Sequence, residues 1–180
     1  MVHLQMAKCC VGLVTEKNQI RFLSLKSQMN YRNLNMTNKH EKVLFQLVQD
    51  EDGYPPDDYE SLWALSSGSS YEIDNIPFFV QGISCGDIVE ADNVNGELWF
   101  RSVVKKSDNS TLRVICFDTS KVMEVRNHLS SLGSSSELSH IEGLFAVNVP
   151  ESCDYSTIQK YLDQKEKEDI LEYEEASIRH

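Results

Sequence analysis

Residues 111–149 read TLRVICFDTSKVMEVRNHLSSLGSSSELSHIEGLFAVNV, and the hydrophobic rhythm changes three times along them. Thr111–Phe117 is a strand pattern, rich in β-branched and aromatic side chains. Asp118 or Thr119 can cap a helix, and Val122, Val125, Leu129 and Leu132 recur at helical spacing up to Gly133, a natural stop. Ser136–Ile141 predicts a short strand, and Glu142-Gly143 turns the chain into the apolar strand Leu144–Val149, ended by Pro150. Asp154 can then cap a second helix with Tyr155, Ile158, Tyr161 and Leu162 on one face. Past Glu168-Asp169, Ile170–Ala176 reads as an edge strand, with a continued acidic helix as the alternative. The order β-α-β-β-α-β over residues 107–176 predicts a ferredoxin-like module, followed by a tail at 177–180.

Upstream the rhythm is that of short strands alone. Val43–Val48 leads into the turn-rich stretch Asp50-Glu51-Asp52-Gly53-Tyr54-Pro55-Pro56, and Glu60–Leu65 resumes the strand. Tyr71–Ile76 follows the serine-rich turn around Gly68 and is broken by Pro77. Ile88–Ala91 and Glu97–Val104 flank Asn95-Gly96, the strongest hairpin signal in the chain. Strands at this spacing with no helix between them predict a small antiparallel β-barrel-like module over 40–106. The expected fold class is therefore α+β, two modules in succession, with no repeat between them.

The 180 residues carry a formal charge of −11, unevenly placed. Residues 1–40 hold six Lys and Arg against Glu16 alone, a net +5, whereas residues 41–180 hold 11 basic and 27 acidic groups, a net −16. Residues 1–35 therefore read as a basic N-terminal extension, with Met36 as an alternative start, since the first strong strand pattern begins just after it. A secretory signal fits poorly, because the apolar stretch Cys9–Val14 is short and runs into Glu16 and Lys17. There is no run of about 18 apolar residues, so no transmembrane helix is expected. The acidic body argues against nucleic acid and anionic membranes, which both need clustered Lys and Arg.

Five cysteines with no C-x-x-C pair argue against a disulfide framework and for a reducing, cytoplasmic setting. Cys116 lies in an apolar run and reads as a small core residue.

Several motifs in order are similar to one family. Leu44-Phe45-Gln46-Leu47, the stretch Asp50–Pro56 and Glu60-Ser61-Leu62-Trp63-Ala64 come first. Asp74-Asn75-Ile76-Pro77-Phe78-Phe79, Gly86-Asp87-Ile88-Val89 and Ser110-Thr111-Leu112-Arg113-Val114 follow. Together they resemble the bacterial domain-of-unknown-function family DUF4265 over roughly residues 40–176. The resemblance brings no established catalytic residue with it.

Asp50, Glu51, Asp52, Asp57, Asp58 and Glu60 form an acidic turn with no basic residue among them. The alternating acidic spacing of a calcium loop is absent, because Asp50 and Asp52 are followed directly by Gly53. The bland account is a solvated loop, and the sharper one is a contact surface for a basic protein. Trp63 and Trp99 sit inside strand patterns and are expected to fill the core of the first module. Phe78 and Phe79, if extended, point to opposite sides, so that one covers the core. Asp74, Asn75 and Asp87 could build a small polar site, although an Asx-turn explains the first two without a ligand.

No metal site is expected, since the five histidines have no i, i+4 pair and no Cys/His cluster occurs. No G-x-S-x-G elbow, phosphate loop or dinucleotide fingerprint occurs, so no catalytic residue and no cofactor is assigned. An active site assembled from residues distant in sequence stays open. Two function classes remain. One is a small acidic cytoplasmic binding protein with a basic protein partner, most concretely a toxin-neutralising immunity protein. The other is a ligand-sensing or regulatory domain that binds a small metabolite, by analogy of fold.

Overall fold

Asn95 and Gly96 both take positive φ, 55° and 95°, the backbone that a two-residue hairpin requires. Gly96 N–H also donates to Asn93 Oδ1 at 3.0 Å. This turn joins β4 (Ile88–Val94) to β5 (Glu97–Lys105). In the computed structural model, which describes residues 39–180, these two strands close a barrel with β1 (His40–Gln46), β2 (Tyr59–Ser67) and β3 (Ser70–Ile73). The reading of residues 1–35 as an extension, with its start at Met36, lies outside the described residues.

The barrel order is β1-β2-β3-β4-β5. Neighbours along it are antiparallel, and a short parallel pairing of β1 with β5, Val43 to Leu98 and Leu44 to Trp99, completes the ring. Register shifts in β4 at Ile88/Val89 and Glu90/Ala91 supply the bending that closure needs. Val43, Phe45, Leu62, Ala64, Ile73 and Val89 fill the interior, with Phe45 stacked on Phe100 at 4.6 Å.

The second sheet contains β6 (Ser110–Cys116), β7 (Ser135–Leu138), β8 (Leu144–Val149) and β9 (Leu171–Ser177), in the order β7-β8-β6-β9. All of its pairings are antiparallel. A single 3-10 turn at Thr119–Lys121, capped by Asp118, leads into α1 (Val122–Ser131). Asp154 caps α2 (Tyr155–Lys167) by accepting from Ser156 N–H. Nine strands and two helices among the described residues make the protein α+β.

The two faces of this sheet have different covers. Leu112, Val114, Phe145 and Val147 meet Val125, Leu129, Ile158 and Leu162 of the helices. The opposite face carries Thr111, Arg113, Ile115, Leu144 and Ala146, and it meets the barrel. Leu144 belongs to the barrel core, Thr111 Oγ1 donates to Ile83 C=O at 3.3 Å, and Gly82 N–H donates to Ala176 C=O at 3.1 Å. Double coverage is why Leu144–Val149 is apolar without alternation.

The expected placement of the two tryptophans needs correction. Trp63 does not fill the core: it is 47% exposed on the outer barrel wall, where Lys42 lies 5.0 Å from its ring. Trp99 is half-buried on the same outer side, against Tyr59 at 5.8 Å. Both are out of phase with the inward residues Leu62, Ala64, Leu98 and Phe100. In the tail at 177–180, Ser177 ends β9 and Arg179 reaches the buried Asp87 at 3.2 Å. Asn38–His180 forms one compact unit.

Candidate functional site

The acidic turn leaves the barrel between Leu47 and Asp58, whose main chains bond at 2.9 Å. Asp50 Oδ1 accepts from the N–H groups of Asp52 at 3.0 Å and Tyr54 at 2.8 Å, so this carboxylate organises the turn itself. Glu51, Asp52, Asp57 and Asp58 are exposed. Glu60 departs from this group. It lies in phase with the inward Leu62 and Ala64, and its carboxylate accepts from the N–H groups of Phe78, Phe79 and Val80 at 2.7, 2.9 and 2.9 Å. Glu60 therefore clamps a loop instead of facing a partner. The loop buries Phe79, which meets Tyr54 edge-on at 6.0 Å, and leaves Phe78 half-buried.

Tyr54 brings the acidic turn to the part of the second sheet that the barrel leaves uncovered. There Tyr54, Arg113, Ile115, Ile141, Leu144, Glu172, Tyr173 and Glu174 line a cleft of about 230 Å3. Register explains the grouping: Arg113 is opposite Glu174 and Ile115 is opposite Glu172, on the face turned away from the helices. Arg113 is only 4% exposed. Its guanidinium donates to Glu174 Oε2 at 3.0 Å and to Val80 C=O at 2.7 Å. Gln81 Nε2 donates to the other Glu174 oxygen at 2.6 Å. Burial raises the Tyr54 hydroxyl pKa, and Glu174, Glu60 and Asp50 raise it further against the opposing pull of Arg113. Tyr173 is also raised, first by burial and then by its 2.5 Å bond to Asp163.

The arrangement is apolar on its floor and acidic on its rim, with one buried cation already paired. Such a site can hold a cationic side chain or amine. In the sequence, Arg113 belongs to the motif Ser110-Thr111-Leu112-Arg113-Val114. The signal that marks it is a lone charge in the middle of an otherwise apolar strand.

Asp74, Asn75 and Asp87 do not make one site, since their carboxyl and amide groups share no partner. Asp74 pairs with His40 at 2.6 Å at the surface, and Asn75 Oδ1 accepts from Trp63 N–H at 2.8 Å. Asp87 is fully buried. It accepts from the N–H of Ser107 at 2.7 Å, the N–H of Ser84 at 3.0 Å and Arg179 at 3.2 Å. This network ties the 82–87 loop, the connector at Ser107 and the C-terminal residues together. Its acceptors are filled, so it serves architecture.

Cys85 is surrounded by this region, and its thiol is pushed up to about 11, first by burial and then by Asp74, Glu137, Glu72 and Asp87. Cys116 is buried in the helix-side core. No cluster of three or more His, Cys, Asp and Glu is placed to hold a metal among the described residues. No helix among them is long and apolar enough to cross a membrane.

The fold and the cleft describe an α+β protein with an acidic recess. The chain belongs to the family described as Domain of unknown function (DUF4265), whose model matches residues 60–173. The motifs at 44–56 precede that span. No curated protein matches the chain. A solved structure, described as a novel crystal structure of a hypothetical protein from Neisseria gonorrhoeae, is similar in fold. Its TM-score is 0.66 at 21% identity, and the match covers 78% of this chain and 96% of that one.

Proposed function

We propose that this is a small acidic binding protein for a basic protein partner, most concretely a toxin-neutralising immunity protein acting in the cytoplasm. The observation that carries the reading is the meeting of two acidic segments at one cleft. The exposed carboxylates Glu51, Asp52, Asp57 and Asp58 lie on the turn that delivers Tyr54, and Glu172 and Glu174 come from β9. Their field attracts a basic surface from a distance, and the apolar floor gives that surface something to bury. The same field disfavours nucleic acid and anionic membranes as partners. We read the sheet order β7-β8-β6-β9 with two helices as a ferredoxin-like arrangement behind a barrel-like module. The test is co-purification with the product of the adjoining gene at low and high ionic strength. Salt-sensitive capture of a basic partner supports the reading. Absence of any complex at low salt refutes it.

A second reading, small-ligand sensing, draws on a different recess. Phe45, Leu47, Phe79, Val80, Phe100 and Val103 are among the residues lining a cleft of about 640 Å3 beside the barrel. That volume lies within the usual range for metabolite sites, about 300–1,000 Å3. A thermal-shift screen with amino acids and nucleotides tests it, and stabilisation by one compound with no protein partner favours sensing.

A further inference from the structure

We propose that the cleft at the edge of β9 is a socket for one lysine or arginine side chain of an extended protein segment that pairs with β9. The proposal rests on the acidic-binding reading and specifies how the partner is held. Its first ground is the chemistry of the walls. Ile115, Leu144 and Ile141 offer apolar surface along which a long aliphatic stem can lie, and Glu172 stands at the rim where its charged head would arrive. The two glutamates are not equivalent. Both oxygens of Glu174 are engaged, by Gln81 and Arg113. Glu172 lies opposite the apolar Ile115 and has no hydrogen-bond or ion-pair partner among the described residues.

The second ground is independent of the carboxylates. Arg113 Nε is buried and has no partner among the described residues, although the other two nitrogens of the same guanidinium are bonded. An unpaired buried donor in a cleft calls for an acceptor. A free amine supplies the cation and no acceptor. A peptide supplies both, the side-chain cation for Glu172 and a main-chain carbonyl for Arg113. Tyr54, 46% exposed on the acidic turn, lines the same cleft.

The third ground is topology. β9 is the edge of its sheet, and among the described residues no strand lies beyond it; Gly82 N–H donates to the Ala176 C=O, which leaves the outer main-chain groups of Leu171–Glu175 for strand addition. Its glutamates deter a second copy of itself by like charge and leave a basic segment as the complementary occupant.

The experiment uses the full chain and a fluorescent peptide of alternating lysine and threonine, matched to the seven residues of β9. Fluorescence anisotropy follows binding, and amide resonances of β9 report where it occurs. Comparators are the same peptide with norleucine for lysine, and Nα-acetyl-lysine amide. The expected result is binding that weakens about tenfold in Glu172→Gln, is lost with norleucine and shifts the β9 amides. Asp108→Asn, exposed on the connector before β6 and outside the cleft lining, is expected to change it by less than about threefold. Unchanged affinity in Glu172→Gln, no binding of the peptide, equal competition by acetyl-lysine amide, or self-association of the protein on light scattering each overturns the socket. If the adjoining gene product binds wild type and Glu172→Gln alike, the socket falls and the acidic-binding reading stands. If neither that product nor the peptide binds, both fall.

Discussion

Glu60 is the residue whose substitution most directly separates architecture from surface charge. Its two carboxylate oxygens hold three main-chain N–H groups, Oε1 that of Phe78 at 2.7 Å and Oε2 those of Phe79 and Val80 at 2.9 Å each. Glutamine retains one carbonyl oxygen. Placed at the Oε2 position, it keeps the Phe79 and Val80 bonds as neutral ones and turns its amide nitrogen toward the Phe78 N–H, donor against donor. Losing one charge-assisted bond and leaving a part-buried donor unpaired costs about 2–3 kcal/mol. Glu60→Ala frees all three donors and costs about 3–5 kcal/mol. For a chain of this size each kcal/mol lowers Tm by about 3 °C, so Glu60→Gln is expected to melt about 6–9 °C below wild type. Thermal and urea unfolding followed by tryptophan fluorescence are the assays, since Trp63 and Trp99 both lie on barrel strands. Asp57→Asn, equally acidic in sequence but exposed, is the control and is expected to stay within about 0.5 kcal/mol. Equal stability of Glu60→Gln and Asp57→Asn would refute the clamp and return Glu60 to the acidic surface.

Other outcomes follow from the same geometry. A Cβ on Gly143, at φ +83°, would lie 2.5 Å from the Cys116 carbonyl, whereas one on Gly53, at φ +79°, meets nothing within 4 Å. Gly143→Ala is therefore expected to cost about 2–4 kcal/mol in chemical denaturation and Gly53→Ala about 1 kcal/mol, and equal losses would contradict the close approach. Phe145→Ala, which removes a fully buried ring between sheet and helices, is expected to cost about 3–5 kcal/mol by the same measurement. Asp154 is held below the usual aspartate range by bonds from Ser156 and Thr157, so its cap contributes fully above the pKa of an unfolded aspartate, about 4. That contribution fades as pH falls through the depressed folded value, and amide exchange at the first turn of α2 should accelerate over that interval only. With its thiol at about 11, Cys85 is expected to resist iodoacetamide at pH about 8 in the native protein and to react once unfolded, as peptide mapping would show.

The order of elements was legible because local signals agree with one another. Asp118, Asp154, Gly133 and Asn95-Gly96 mark ends and turns through their own backbone and side-chain preferences, and the structure uses each at that place. The edge strand at Ile170–Ala176 appears as Leu171–Ser177, so the helical alternative is set aside. Part of the site was legible too, since the acidic turn is a composition signal and its exposed members lie where solvated carboxylates are expected. Proximity in sequence groups Glu60 with them, although its phase with Leu62 and Ala64 marks it as inward.

By itself, then, the sequence determined the α+β class, the succession of strands and helices and the strongly acidic body, all of which depend on neighbouring residues or on simple sums. Only the tertiary structure decided that β9 lies beside β6, that the acidic turn reaches it through Tyr54, and that Arg113 lies buried between Glu174 and the Val80 carbonyl. It also decided that the two tryptophans face outward and that the last residues close onto Asp87. These are outcomes of register and packing between segments distant in the chain. A shift of one residue in the pairing of β6 with β9 would turn Glu172 and Glu174 to the helices and dissolve the cleft.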